Sequence, residues 1–174
     1  MAGLDGRTRT YRLTTSVQVA KFTALIGSSA DTTTTTGAIY AALPTGSNQG
    51  PVKGVTLDHW LAPNTFYPED TDPSTITGVT PPSPYQTFLG GTSTDNGPTV
   101  QYTGQARCYA GAGGTIHDGD IVVIADAYGR VQNPTNLSIA AGTTLYPVGI
   151  ARSEATATNN VLYVDLNFMP VANP

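Results

Sequence analysis

Between Ala106 and Phe168 the chain alternates short runs of β-branched and aromatic residues with tight-turn dipeptides, a spacing that points to antiparallel β structure. His117-Asp118-Gly119-Asp120 leads into Ile121-Val122-Val123-Ile124-Ala125, and Asp126-Ala127-Tyr128-Gly129 leads into Arg130-Val131. After a polar break come Leu145-Tyr146-Pro147-Val148-Gly149-Ile150-Ala151, a Thr/Asn turn, and Val161-Leu162-Tyr163-Val164-Asp165-Leu166. Asp and Gly supply the backbone geometry of tight turns, while Val, Ile and Tyr suit a pleated, half-buried surface. A small β-barrel or sandwich is expected here. Almost nothing reactive is embedded in it, so function is expected to reside in surfaces.

Composition narrows the class. At 174 residues the chain suits one domain with room for an appendage. Charged residues make up 11%, where about 25% is typical. Thr, Ser, Gly, Asn and Pro fill the gap. A disordered chain would combine low hydrophobicity with high net charge, and this one carries only −4. The pI of about 4.8 speaks against nucleic acid as a partner. No apolar run approaches the roughly 18 residues of a membrane span. Met1 to Arg7 lacks the apolar core of a signal peptide, so synthesis in a cytoplasm without secretory export is expected. The single cysteine, Cys108, excludes an intrachain disulfide, and is expected to be an inert, half-buried strand thiol.

Three zones follow along the chain. Residues 1–43 open with Arg7, Arg9 and Arg12, then Lys21, against one acid, Asp5, in the first 21 positions, so the leading segment is basic in an acidic chain. Thr10 to Thr14 and Val17 to Ala20 alternate as extended chain does. Ala20 to Ile26 fits either strand or a short helical turn, and Thr32 to Thr36 reads as an exposed connector. Residues 44–104 hold Pro63, Pro68, Pro73, Pro81, Pro82, Pro84 and Pro98, which leave little room for helix. They also hold Trp60, Phe66, Tyr67, Tyr85 and Phe88, too many aromatics for a free linker. These would form either the small core of a loop-rich lobe or an exposed stacking platform. Residues 105–174 are the β-unit. The whole is expected to be mainly β: an extended N-terminal arm, a Pro/Gly-rich lobe and a C-terminal barrel or sandwich.

Catalytic readings are weak. Asp58-His59 and His117-Asp118 are neighbours in sequence, but adjacent strand residues point to opposite faces. His117 to Asp120 is better read as a turn. Glu69, Asp70 and Asp72 lack the spacing of a calcium loop and read as a solvated acidic stretch. No Gly-x-Ser-x-Gly elbow occurs. Gly111-Ala112-Gly113-Gly114 lacks the Lys-Ser/Thr of a phosphate loop and is expected to be a flexible bend. A lipoyl-type carrier needs a lysine on a central turn, and none follows Lys53. No catalytic residue, metal site or cofactor is expected.

In order, Gly119-Asp120-Ile121-Val122-Val123, Tyr128-Gly129-Arg130-Val131, Val148-Gly149-Ile150-Ala151 and Val161-Leu162-Tyr163-Val164 resemble the capsid decoration, or cement, proteins of tailed bacteriophages. The likeness covers the C-terminal zone and leaves the Pro-rich zone outside. It implies a structural, non-enzymatic virion protein on the outer capsid surface, made in the host cytoplasm. It further implies a homotrimer that staples neighbouring copies of the major capsid protein, with no nucleic acid, membrane or small-molecule substrate as partner. Such proteins carry N-terminal arms that order on the shell.

An extended, basic arm is suited to adding a strand to a partner's sheet edge. Tyr11, Leu13, Val17 and Val19 would fill alternate pockets, and Arg7, Arg9 and Arg12 would steer docking onto acidic groups. On that reading, deleting residues 1–20 leaves a folded body. The alternative is that the segment is the body's own first strand and the arginines are solvated. A second functional reading is an adhesion module that binds host glycans through Trp60, Phe66, Tyr67 and Tyr85.

Overall fold

The computed structural model describes residues 6–13, 19–28, 40–57 and 98–174, and within them every regular element is a strand. The protein is mainly β. In chain order the strands are β1 (Thr8–Thr10), β2 (Arg12–Leu13), β3 (Ala24–Gly27), β4 (Tyr40–Ala42), β5 (Val52–Thr56), β6 (Thr99–Gln101) and β7 (Gln105–Tyr109). They continue as β8 (Ile121–Ile124), β9 (Val131–Gln132), β10 (Thr144–Leu145), β11 (Pro147–Ala151), β12 (Val161–Leu166) and β13 (Val171–Ala172).

A six-stranded sheet runs β1-β6-β5-β3-β4-β2, antiparallel except for the parallel β2–β4 pair. Its central strand β3 is apolar at successive positions because both faces are covered. Ala24 and Ile26 face one cluster, while Leu25 faces another with Tyr11, Val19, Ala41 and Val100. On β5 a register shift opposite Leu25 and Ile26 turns Val52 and Val55 toward the same cluster as Ala24. Gly54 makes this possible at φ +149°, and a Cβ there would run into the Gln101 carbonyl and Val100.

The N-terminal segment is extended, as expected, but its described residues pair with this chain's own strands. Thr8, Arg9 and Thr10 lie opposite Gln101, Val100 and Thr99, and Arg12 and Leu13 lie beside Tyr40 and Ala41. Tyr11 and Val19 are only 5% and 1% exposed. They fill this chain's own core, which reverses the result expected from deleting residues 1–20. Lys21 and Phe22 form a turn ahead of β3, so no helical turn occupies Ala20 to Ile26. Val17 and Thr32 to Thr36 lie outside the described residues.

The Pro-rich zone supplies two strands to this sheet. β5 and β6 are neighbours, with Val55 opposite Gln101 and Thr56 opposite Val100. The Leu57 amide donates to the Thr99 carbonyl at 2.9 Å, so the chain leaves and re-enters at adjacent points. Residues 58–97 between them, including Trp60, Phe66, Tyr67 and Tyr85, lie outside the described residues.

The C-terminal zone is a five-stranded antiparallel sheet, β7-β12-β11-β8-β9, beside a two-stranded β10–β13 ribbon. Ala110, directly after β7, bridges Val131 of β9, so the two edges of the sheet meet at one point. Val122, Ile124, Val148, Ala151, Leu162 and Val164 share a single core with Ala24, Val52 and Val55 of the first sheet. Polar clasps reinforce that junction. The Asn48 side chain donates to Thr144 O at 2.9 Å and accepts from the Tyr146 amide at 3.0 Å. Gly129, at φ +69°, sits so close to β3 that a Cβ would strike Ala24, and its carbonyl accepts the Ala24 amide at 2.9 Å.

Gly111 to Gly114 is a held bend and not a free one. The buried Gln132 amide donates to Gly111 O at 3.1 Å and Gly114 O at 3.0 Å. Its carbonyl accepts from Asn133 N and Asn136 Nδ2. Every polar position of that buried side chain is thus matched, as a low-dielectric site requires.

Candidate interaction surface

Strand alternation decides what the C-terminal sheet shows to solvent. On β7, Ala106 and Cys108 point inward and Arg107 points out. On β12, Leu162 and Val164 are buried, while Val161 and Tyr163 are 44% and 37% exposed. Register places Tyr109 opposite Val161, Arg107 opposite Tyr163 and Gln105 opposite Asp165. Ile150 on β11 lies opposite Asp165, and Ile121 on β8 lies opposite Ile150. One outer face therefore crosses the neighbouring strands β7, β12, β11 and β8.

Cations and rings are stacked at one end of this face. The Arg107 guanidinium carbon lies 5.8 Å from the Phe22 ring centre and 5.7 Å from that of Tyr163. Phe22 also packs on Tyr109 at 5.6 Å between ring centres, and Lys21 Nζ lies 5.5 Å from the Phe22 ring. Cations this close to aromatic faces are attracted by the ring quadrupole.

Phe22 has a left-handed backbone at φ +62°, which costs a bulky L-residue about 1–2 kcal/mol. Thr56 holds it there. The Phe22 amide donates to Thr56 O at 2.7 Å, the Thr23 amide to Thr56 Oγ1 at 3.0 Å, and the Thr56 hydroxyl to Ala20 O at 2.6 Å.

Midway along the face, Arg152 Nε donates to Asp165 Oδ2 at 2.6 Å, and Gln105 Nε2 reaches Asp165 Oδ1 at 3.3 Å. The hydrogen bond from Arg152 holds the Asp165 carboxyl below the usual aspartate range. At the far end, Ile121, Pro147, Gly149, Ile150, Asn167, Met169 and Val171 line a shallow, mostly apolar groove, with Met169 72% exposed. The C-terminal arginines differ sharply in their partners. Arg130 is bound to Asp126 at 2.6 Å and Arg152 to Asp165 at 2.6 Å. Arg107 is exposed and stacked on rings, with no carboxylate pairing it among the described residues.

The residues singled out from sequence fall elsewhere. Arg7 and Arg9 are exposed on the first sheet's β1 side, where the Arg7 amide donates to Thr103 Oγ1 at 2.8 Å. Arg9 lies 5.6 Å over the Tyr102 ring. Arg12 and Leu13 form β2, Tyr11 and Val19 are internal, and Val17 is not among the described residues. Nor are Asp58, His59, Glu69, Asp70, Asp72, Trp60, Phe66, Tyr67 and Tyr85. His117 is exposed in a turn, its amide donating to Asp120 Oδ2 at 2.8 Å. Cys108 is wholly buried, not half-buried, and burial pushes its thiol far up from the ordinary range.

Sequence reading passed over Phe22, Arg107 and Tyr163. A signal for two of them existed: Arg107-x-Tyr109 and Val161-x-Tyr163-x-Asp165 hold the outward positions of strands whose inward residues are small or aliphatic. Nothing local marks Phe22, whose place follows from Thr56 across the sheet. A scan against models of known protein families finds none that matches the chain, and a search of curated proteins finds no relative.

Proposed function

We propose that this chain is a structural virion protein of a tailed bacteriophage, which decorates the outer surface of the head and staples neighbouring major capsid subunits. The observation that carries the reading is spatial. The strand-turn words that resemble decoration proteins become neighbours β12, β11, β8 and β9 of one antiparallel sheet. That the words form one sheet, and not separate turns, supports the reading. The outer face of that sheet offers Val161, Tyr163 and Ile121 to a partner on a stiff support, and Met169 and Val171 beside it line the adjoining groove. Low overall charge suits dense packing on a lattice, where repulsion between like copies accumulates.

In this role the protein acts as a homotrimer and performs no chemistry. Shell stabilisation comes from burying apolar surface across subunit seams, with a standard interface of roughly 1,600 Å² at each contact. The test is to mix purified protein with undecorated heads, sediment them and quantify the bound fraction. Saturable co-sedimentation, with heads that then resist heating, is the expected result. Heads that pellet without the protein at micromolar concentration overturn the proposal. Sedimentation velocity of the free protein checks the trimer.

A further inference from the structure

We propose that the Phe22–Arg107–Tyr163 stack is a carboxylate-recognition site, which grips an Asp or Glu side chain on the surface of a protein partner. The inference rests on the decoration reading for the identity of that partner, a shell subunit, and on geometry for the chemistry.

Arg107 is exposed, and its guanidinium carbon lies 5.8 Å from the Phe22 ring centre and 5.7 Å from that of Tyr163. Contact with two rings restrains the side chain, while its exposure leaves guanidinium N–H groups open to a partner. A planar fork of donors matches a carboxylate, which it binds through paired, charge-assisted hydrogen bonds. Holding the side chain in advance lowers the entropy lost on binding. The other C-terminal arginines already have such a partner, Asp126 or Asp165, at 2.6 Å. The carboxylate on the same face, Asp165, is engaged by Arg152 and Gln105. Among the described residues, Arg107 therefore presents the chemistry without the complement.

A separate observation points to the same place. Phe22 is held at φ +62° by the Thr56 bonds, and its ring is one of the two that contact the Arg107 guanidinium. Backbone strain in a bulky residue persists only when surrounding structure enforces it, and such strain gathers at binding sites. Lys21, 5.5 Å over the same ring, adds positive charge. Val161 and Tyr163 give the site an apolar rim, the setting in which an arginine becomes a binding hot spot. A chain of net charge −4 repels a polyanion such as nucleic acid, but one acidic side chain meets this local cationic spot at short range.

The test compares wild type with Arg107→Ala and Arg107→Lys, whose melting temperatures should stay within a few degrees of wild type because the exposed position loses at most its cation–π contacts. With undecorated heads, Arg107→Ala should bind about tenfold more weakly, and Arg107→Lys should recover only part of the loss. Added salt should weaken wild type and barely affect Arg107→Ala. Independently of heads, a glutamate-rich peptide followed by NMR should shift the Arg107 Nε–Hε and Tyr163 ring signals saturably, and a lysine-rich peptide should not. Equal head binding by wild type and Arg107→Ala overturns the inference. So does a peptide titration without saturation, or one in which the lysine-rich peptide gives the same shifts. Wild type that ignores the heads but takes up the peptide rejects the decoration reading and leaves the carboxylate site standing.

Discussion

Thr56 is fully buried, and its hydroxyl both donates to Ala20 O and accepts from the Thr23 amide. Valine has nearly its shape but neither capacity, so Thr56→Val strands two buried backbone groups. Each costs about 1–3 kcal/mol, and the variant should lose about 3 kcal/mol in urea unfolding. The exposed Thr156→Val should stay within about 0.5 kcal/mol. Because Thr56 also fixes the Phe22 turn, its loss should broaden the NMR signals of Arg107 and Tyr163. A Thr56→Val protein as stable as wild type would mean that the turn is held by packing alone. Asp165 carries the pH dependence at this scale. Its carboxyl titrates below the ordinary range because Arg152 donates to it, so the pair's contribution is present above about pH 4 and fades as pH falls through the lowered value. Both partners are over 40% exposed, so the effect is small. Asp165→Asn should flatten the slope of the urea midpoint between pH 2 and about 5. An unchanged slope would assign it to other carboxylates.

Among the elements, what could be read in advance was what local pattern controls. The runs around β8, β11 and β12 alternate inward and outward over a few residues and are bracketed by Asp-Gly or Asn turns, so periodicity alone locates them. The leading segment has equally good alternation, yet pattern cannot say whether a strand's partner lies in the same chain. Tyr11 looked like a residue for another protein's pocket and turns out to lie in the second core cluster with Leu25 and Val100. The bulge that brings Val52 and Val55 to one face was equally hidden, because it depends on Gly54 meeting Gln101 from a distant part of the sequence. The element-scale prediction follows from the pairing. Removing residues 1–20 strips β1 and β2 from the sheet and takes Tyr11 and Val19 from the core. Their burial is worth about 2 kcal/mol each, and β6 is left with an open edge. The loss, on the order of 5 kcal/mol, is comparable to a domain's whole stability. The truncated chain should melt far lower or precipitate. If it melts with the full-length protein, β1 and β2 are an appendage after all.

At the scale of the molecule, the zone boundaries near residues 43 and 104 do not divide the core. Ala24, Val52 and Val55 from the first two zones share one apolar cluster with Val122, Val148 and Leu162 from the third. Composition shifts where prolines and glycines gather, but the core is set by pairings between distant strands that composition does not register. The same topology brings together the two chain positions that flank residues 58–97. β5 and β6 are hydrogen-bonded neighbours, and the Leu57 amide reaches Thr99 O at 2.9 Å, so the two ends of that segment are already closed by the sheet. The two-sheet body should therefore fold without it. Replacing residues 58–97 by a short Asn-Gly turn should leave the strand spectrum intact and, by shortening the closed loop, stabilise by about 2 kcal/mol. Calorimetry should show one transition shifted upward by several degrees, and the proposed head binding through the outer face of β7 and β12 should survive. A replacement that unfolds would show that the body depends on residues 58–97 for its stability. One that folds but no longer binds heads would move the docking surface from the C-terminal sheet to the inserted segment.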